Sequence, residues 1–271
     1  NLTGIRAAMH ALPDAVQVAC FDTAFHTTIP PVAYIYGLPY DIYEKYRVRR
    51  YGFHGTSHRF VARRCAKLMN LDKTKANIIT CHLGNGCSIT AVKEGKSVDT
   101  SMGLTPLEGV VMGTRCGDID PAILFYLADK GYDIKKLNAM CNKQSGLLGI
   151  SGASNDMRNL LELSAQGNER AKLAIDIFIY RIKKYVGTYT AVLGRLDAVV
   201  FTGGIGENNA FIRKEVCSGQ TQIGIDICDK RNEAREPKER LISRDNSRVS
   251  VFVIPTDEER AIAGDTYELA K

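Results

Sequence analysis

Short β-rich runs alternate with amphipathic stretches along this chain. Asn77-Ile78-Ile79-Thr80-Cys81 reads as a strand and runs into the glycine-rich turn Leu83-Gly84-Asn85-Gly86. Cys87 to Val92 reads as a second strand, and Glu94-Gly95-Lys96 turns the chain back into Ser97-Val98, the pattern of a β-hairpin. Ala198-Val199-Val200-Phe201-Thr202 is a short apolar run of the kind a fully buried strand shows, and it ends in a second glycine-rich turn, Gly203-Gly204-Ile205-Gly206-Glu207-Asn208. A last strand is expected from Val249 to Ile254, leading through Pro255-Thr256 into a C-terminal helix with the acidic start Asp257-Glu258-Glu259.

The helices are punctuated. Ser57 is placed to cap a helix whose Phe60, Val61, Cys65 and Leu68 share a face. Asp120-Pro121 sets a capping acid before a first-turn proline, and Gly131 ends that helix. Glu169 to Leu193 reads as one long helix. Its stripe of Leu173, Ala174, Ile177, Phe178, Ile182, Tyr185, Val186 and Tyr189 is too broad for a lone surface helix, so a central place is expected. Asp229 to Asp245, charged and poor in apolar residues, reads as an exposed excursion. Strand, hairpin, helix, strand, helix implies an α/β layered domain with a mixed sheet flanked by helices. The hairpin breaks the strict β/α alternation of a TIM barrel.

Composition adds limits. The chain has 271 residues, 45% hydrophobic and 24% charged, which is ordinary for a globular protein. The net charge of +6 favours anionic partners, but no basic run carries interleaved aromatics, so nucleic acid is not the expected partner. Arg47-Val48-Arg49-Arg50 reads as a solvated face or a phosphate-attracting rim. The 8 cysteines are scattered without a CxxC, which fits reduced thiols in a cytoplasmic protein better than a disulfide framework or a zinc site. No apolar run approaches the ~20 residues that a membrane helix needs. The opening Asn1-Leu2-Thr3-Gly4-Ile5 reads like mid-chain sequence, so a segment upstream is expected to be missing.

The candidate chemistry lies in the turns. Glycine lets backbone N–H groups approach a ligand and form an anion-binding concavity. His82-Leu83-Gly84-Asn85-Gly86 and Gly203 to Asn208 each follow a strand, and neither matches GxxxxGK[ST] or GxGxxG. Together they point to a nucleotide held between two loops. Arg115 sits among small and turn residues in Thr114-Arg115-Cys116-Gly117-Asp118-Ile119-Asp120-Pro121. Such an arginine either binds phosphate oxygens or braces its loop by pairing with Asp118 or Asp120. Of 5 histidines, His54, His58 and His82 sit in or beside glycine-rich turns, a distribution that favours function over structure.

These segments resemble the acetate kinases. The matching runs are Phe21–His26, Arg50–His58, His82–Gly86, Asp99–Pro121, Gly203–Asn208 and Pro255–Glu259, in the family's order. The resemblance implies an actin-like ATPase (ribonuclease H-like) domain, as in the actin, Hsp70 and sugar-kinase superfamily. It also implies a cytoplasmic homodimer that reversibly transfers the γ-phosphoryl of ATP to acetate, giving acetyl phosphate and ADP, with Mg²⁺ or Mn²⁺ as cofactor. By position, His54 and Arg115 correspond to the pair that stabilises the transferring phosphoryl group, Asp22 to the active-site acid and Glu258 to the metal-associated carboxylate. His82, Leu83, Gly84, Asn85 and Gly86 correspond to the phosphate loop. Asp156, Met157 and Arg158 correspond to adenosine-binding positions, as do Gly204, Ile205, Gly206, Glu207 and Asn208, with Ile212 and Arg213 lining the base. Phe53 and Pro106 correspond to the acyl pocket.

The resemblance further implies that residues 1–25 are a remnant of an N-terminal domain, that 26–259 form the nucleotide-binding domain, and that 260–271 pack toward the N-terminal one. The family's substrate-gripping arginine is not found in this chain, and Asp257 stands where many relatives carry Asn. A propionate or butyrate kinase is the nearest alternative, and a non-catalytic ATP-binding module or a nucleic-acid-binding domain lies further away.

Overall fold

The computed structural model describes residues 2–271. Its centre is a six-stranded sheet in the order β3-β2-β1-β4-β6-β5. The strands are β1 (Asn77–Leu83), β2 (Cys87–Lys93), β3 (Lys96–Thr100), β4 (Ala198–Thr202), β5 (Arg240–Leu241) and β6 (Ser250–Val253). β1, β2 and β3 form an antiparallel meander; β4 then lies parallel to β1, and β6 parallel to β4. The mixed sheet with helices on both faces is the expected actin-like class.

Side chains alternate across a strand, so a strand covered on both faces feeds two cores. Ile79, Cys81, Val199, Phe201, Val251 and Val253 pack with the long helix Glu169–Leu193. Ile78, Ala198, Val200 and Phe252 face the opposite way, against Val61, Ala62 and Cys65 of the helix Gly55–Leu68. Each large side chain so buried contributes roughly 1.5–3 kcal/mol.

The long helix runs over the expected span, with the Asn168 side chain accepting from Ala171 N. Leu173, expected in its apolar stripe, is 51% exposed, because Ile175 and Ile179 complete the buried face instead. The helix expected after Ser57 begins earlier, at Gly55, and Ser57 is not its cap: its hydroxyl hydrogen-bonds His82 Nδ1 at 2.8 Å. The second glycine-rich segment is not an open turn but a short helix, Gly203–Asn208, entered through Gly203 at φ +76°. The expected excursion 229–245 holds the edge strand β5 and the buried Asn232, Ile242 and Ser243. Arg49 and Arg50 form no solvated rim. Arg49 lies 3.5 Å above the Tyr34 ring, and Arg50 donates to Glu108 at 2.7 Å and to the Thr100 carbonyl at 2.8 Å.

At the ends of the chain, the helix Leu2–Ala11 is exposed throughout. The C-terminal helix Glu258–Leu269 lies on Gly55–Leu68, joined by the Arg59–Asp265 ion pair. Asn1, the first residue of the expected remnant, lies outside the described residues.

The sheet order places the two glycine segments. His82 near the end of β1 stands opposite Thr202 at the end of β4, so both segments leave the same edge side by side. Ligands of open α/β sheets bind outside such carboxyl ends.

Candidate active site

The chain enters the helix Gly55–Leu68 through His54, whose φ of +54° is left-handed. Such a conformation is costly outside glycine and persists only where surroundings enforce it. Asp22 supplies the enforcement. Its carboxylate accepts from His54 N at 2.7 Å and its carbonyl accepts from Gly55 N at 2.8 Å. A Cβ on Gly55 would lie 2.3 Å from that carbonyl oxygen, so only glycine fits there.

Four imidazoles pack behind this corner. His54 stacks on His82 with ring centroids 4.3 Å apart, and His58 and His26 follow at edge-to-face distances. Burial, with the Arg115 charge adding to it, lowers the pKa of His54 to about 4. Burial likewise lowers His26 to about 4, His82 to about 3 and His58 well below the ordinary value. The cluster is neutral at physiological pH, so His54 faces the site as an uncharged ring.

Arg115 arrives from the opposite side on a pinned loop. Asp118 accepts from Gly109 N and from the Tyr185 hydroxyl at 2.8 and 2.7 Å, while Ser145 N donates to the Thr114 carbonyl at 3.0 Å. Asp120 accepts from Ala122 N at the start of the next helix. Both acids are thus engaged elsewhere, and among the described residues Arg115 has no carboxylate partner. Its Nη1 donates to the Pro106 carbonyl at 3.2 Å. Pro106 therefore sits beside Arg115, as Phe53 precedes His54. Gly86 forms the floor between the loops of Arg115 and His54: a Cβ there would lie 3.3 Å from Arg115 Nη1 and 3.6 Å from His54 Nε2. A guanidinium nitrogen and an imidazole nitrogen thus converge over bare backbone.

Beside this corner opens a cleft of about 540 Å³, lined in part by Gly84, Asn85, Asp156, Met157, Arg158, Gly204, Ile205 and Asn208. Asn155 Nδ2 donates to Asn85 Oδ1 at 3.1 Å and ties two of its walls together. Asp156 caps the helix Met157–Ala165 and pairs with Arg158 at 2.6 Å. Leu83 is buried in β1. Gly206 is buried too, and Glu207 accepts from Gly203 N at 2.9 Å, closing the short helix. Ile212 and Arg213, expected to line the base, stand behind the wall. Ile212 is fully buried, and Arg213, 1% exposed, donates to the Gly206 and Glu207 carbonyls at 2.9 Å and to Asn232. Arg213 thus holds the short helix from below.

Glu258 is half-buried, and burial together with the nearby Asp22 charge raises its pKa. Asp257 is occupied as the cap of the last helix, accepting from Arg260 N at 2.9 Å. Glu258 is thus the acid that senses the Asp22 charge, while Asp257 is committed to the helix start. Among the described residues no three His, Cys, Asp or Glu side chains gather tightly enough to cage an ion. Two facing carboxylates suit Mg²⁺, which keeps several waters and completes its shell with phosphate oxygens.

The sequence pattern missed Thr80, Ser88 and Ser57, which bind the imidazoles, and Asn155 and Asn209, which line the cleft. Only Asn155, next to the Asp156 cap in a polar turn, carried a readable signal.

A model of the acetokinase family matches residues 1–264. The chain belongs to the acetokinase family. Within it, the chain is 56% identical to the acetate kinase of Lawsonia intracellularis, over 99% of this chain and 67% of that one. It is 55% identical to that of Methanosarcina thermophila, over 100% and 66%. The crystal structure of Porphyromonas gingivalis acetate kinase superposes with a TM-score of 0.97 at 49% identity, covering 100% of this chain and 68% of that one. A propionate kinase from Francisella tularensis superposes at 0.92, also with 49% identity, over 98% and 68%. This acetokinase chain spans about two thirds of the length of the relatives it matches. No helix among its described residues is long and apolar enough to cross a membrane, and its 8 cysteines are free thiols.

Proposed function

We propose that the protein is an acetate kinase, transferring the γ-phosphoryl group of ATP reversibly to acetate to give acetyl phosphate and ADP. The observation that carries this reading is the convergence of His54 Nε2 and Arg115 Nη1 over Gly86, at the mouth of the 540 Å³ cleft. Phosphoryl transfer requires alignment and neutralisation of charge on the equatorial oxygens, with little covalent help. With adenosine in the cleft between Asp156–Arg158 and Gly204–Asn208, the γ-phosphate reaches the corner. There Arg115 and neutral His54 donate to its oxygens. An acetate oxygen attacks phosphorus as the bond to the β-γ bridging oxygen breaks and ADP leaves, with no proton transfer needed. Asp22 and Glu258 would hold Mg²⁺ through its waters, and the ion when bound supplies charge neutralisation on the phosphates. Phe53, next to His54, and Pro106, whose carbonyl meets Arg115, would line the acyl pocket.

In this reading, residues 26–259 form the nucleotide-binding domain, while 1–25 and 260–271 belong with a second domain. The exposed Phe125, Tyr126 and Ile134 suit a homodimer interface, and the free thiols suit the cytoplasm. A propionate kinase is the second reading, favoured by the Francisella structure at the same 49% identity.

The test is the formation of acyl phosphate by the full-length protein from Mg-ATP with acetate, propionate and butyrate, compared as kcat/KM. The expected order puts acetate first. Absence of acetyl phosphate from a folded protein sinks the proposal. Arg115→Ala is the control, with kcat lowered by roughly 10³–10⁵.

A further inference from the structure

Behind His54 runs a line of buried polar side chains. Thr80, His58 and Ser88 are each fully buried. They form one line with His54: Thr80 Oγ1 lies 2.7 Å from His58 Nδ1, His58 Nε2 lies 2.7 Å from Ser88 Oγ, and Ser88 Oγ lies 2.8 Å from His54 Nδ1. The far end of the line, His54 Nε2, faces the space beside Arg115.

The number of hydrogens decides the direction of this line. A neutral imidazole carries one N–H and one bare nitrogen, and a hydroxyl carries one hydrogen. Two hydroxyls and two neutral rings therefore bring one hydrogen more than their three mutual bonds use. If Thr80 donates to His58, His58 Nε2–H donates to Ser88 and Ser88 donates to His54 Nδ1, then the spare hydrogen sits on His54 Nε2 and points into the site. In the reverse order the spare hydrogen is that of the Thr80 hydroxyl, which is buried in β1 with no other partner among the described residues. If both rings donate to Ser88, the Ser88 hydrogen is stranded in the same way. A buried donor left unpaired lowers the population of such a state by roughly ten- to a hundred-fold. Only the first order leaves none.

His26 cannot upset this order. Its Nε2 must donate to the Phe53 carbonyl, so its Nδ1 accepts from Ser97, and neither atom joins the line. His82 takes its own hydroxyl, Ser57.

We propose that Thr80, His58 and Ser88 are positioning residues that fix His54 in the tautomer with its hydrogen on Nε2, so that a neutral donor faces the transferring phosphoryl group. The phosphoryl part of this statement rests on the function proposed above; the hydrogen order does not. Burial keeps the rings uncharged, and the line fixes which nitrogen donates. The opposite tautomer would present a lone pair to an anionic oxygen and repel it.

The experiment is long-range ¹H–¹⁵N correlation on histidine-labelled protein at neutral pH, which distinguishes the two tautomers ring by ring. His54 and His58 are both expected as Nε2–H. In Ser88→Ala, His54 loses its partner at Nδ1, and its nitrogen shifts are expected to move toward the tautomer average. The kcat should fall about ten-fold or more, with the KM for ATP within about two-fold, since a hydrogen bond to a charged group is weakened and the cleft is untouched. Thr80→Ser, which keeps the hydroxyl, is expected to keep the wild-type signature. Finding either ring as Nδ1–H in the unmodified protein overturns the proposal, without any variant having to fold. An unchanged His54 signature in Ser88→Ala overturns it too. Absence of acetyl phosphate with both rings as Nε2–H removes the kinase reading and leaves the hydrogen order standing.

Discussion

Mild acid should unfold this protein through its histidines. His26 and His54 are held at about 4 and His82 at about 3, against 6.5 for a free imidazole, and His58 is lowered as well, in every case chiefly by burial. The folded chain therefore stays unprotonated at these rings over a range in which the unfolded chain takes up a proton on each. Where the unfolded state binds more protons, stability rises with pH. The contribution is complete above about pH 6.5 and is lost as the pH falls toward about 4. For one ring moved from 6.5 to about 4, going from pH 7 to pH 5 costs roughly 1.8 kcal/mol. The three rings His26, His54 and His82 together cost about 5.5 kcal/mol, and buried His58 adds to this in the same direction, a loss comparable to the ~5–15 kcal/mol by which a domain is stable at all. Urea unfolding at pH 7, 6 and 5 measures this directly. His26→Gln, which removes one ring, should lose stability at pH 7 yet show about a quarter less pH dependence. A free energy of unfolding that does not change between pH 7 and 5 would falsify the reasoning, as would histidine NMR titrations near 6.5 in the folded protein.

Two further predictions concern the site and its support. Gly86→Ala places a methyl 3.3 Å from Arg115 Nη1 and 3.6 Å from His54 Nε2. It should lower kcat by roughly 10²-fold through misplacement of the pair, with nucleotide affinity little changed, as read from steady-state kinetics and nucleotide titration. Arg213→Leu strands Asn232 Oδ1 and removes the donor from the carbonyls of Gly206, Glu207 and Asn232. It should cost about 3–5 kcal/mol in chemical denaturation, because a buried hydrogen-bonded network is broken.

Elements whose cause is local were legible in the sequence. The long helix showed both its stripe and its end, and β4 showed an unbroken apolar run, because a strand covered on both faces has no polar side to display. Elements decided by distant partners were not. The Ser57 hydroxyl is placed like a cap, but His82 from β1 takes it. Gly203–Asn208 has a turn's composition, yet Glu207 folds back on Gly203 N and Arg213 holds two of its carbonyls, which makes it a helix. β5 is two residues long and exists because β6 lies beside it. For the site, motif resemblance pointed to His54 and Arg115, which converge over Gly86, and to residues that line the cleft. It did not indicate that Ile212 and Arg213 stand behind the wall, since adjacency in sequence says nothing of which side of a helix meets a ligand. The left-handed backbone at His54 left no trace in composition either, because it is imposed by Asp22, far away in the chain.

The parallel pairing of β1 with β4 has a consequence for tolerance to change. Adjacent strands are spaced by their backbone hydrogen bonds at ~4.8 Å, whatever side chains they carry. The separation between the segments that start at His82 and Thr202 is thus a gauge set by peptide groups, and core residues on either face of the sheet can be exchanged without resetting it. Drift in the packing can accumulate while the end of the cleft beside Gly84 and Gly204 keeps its width. What such drift cannot spare is the handful of glycines at the rim, where a single added carbon enters the space the gauge defines.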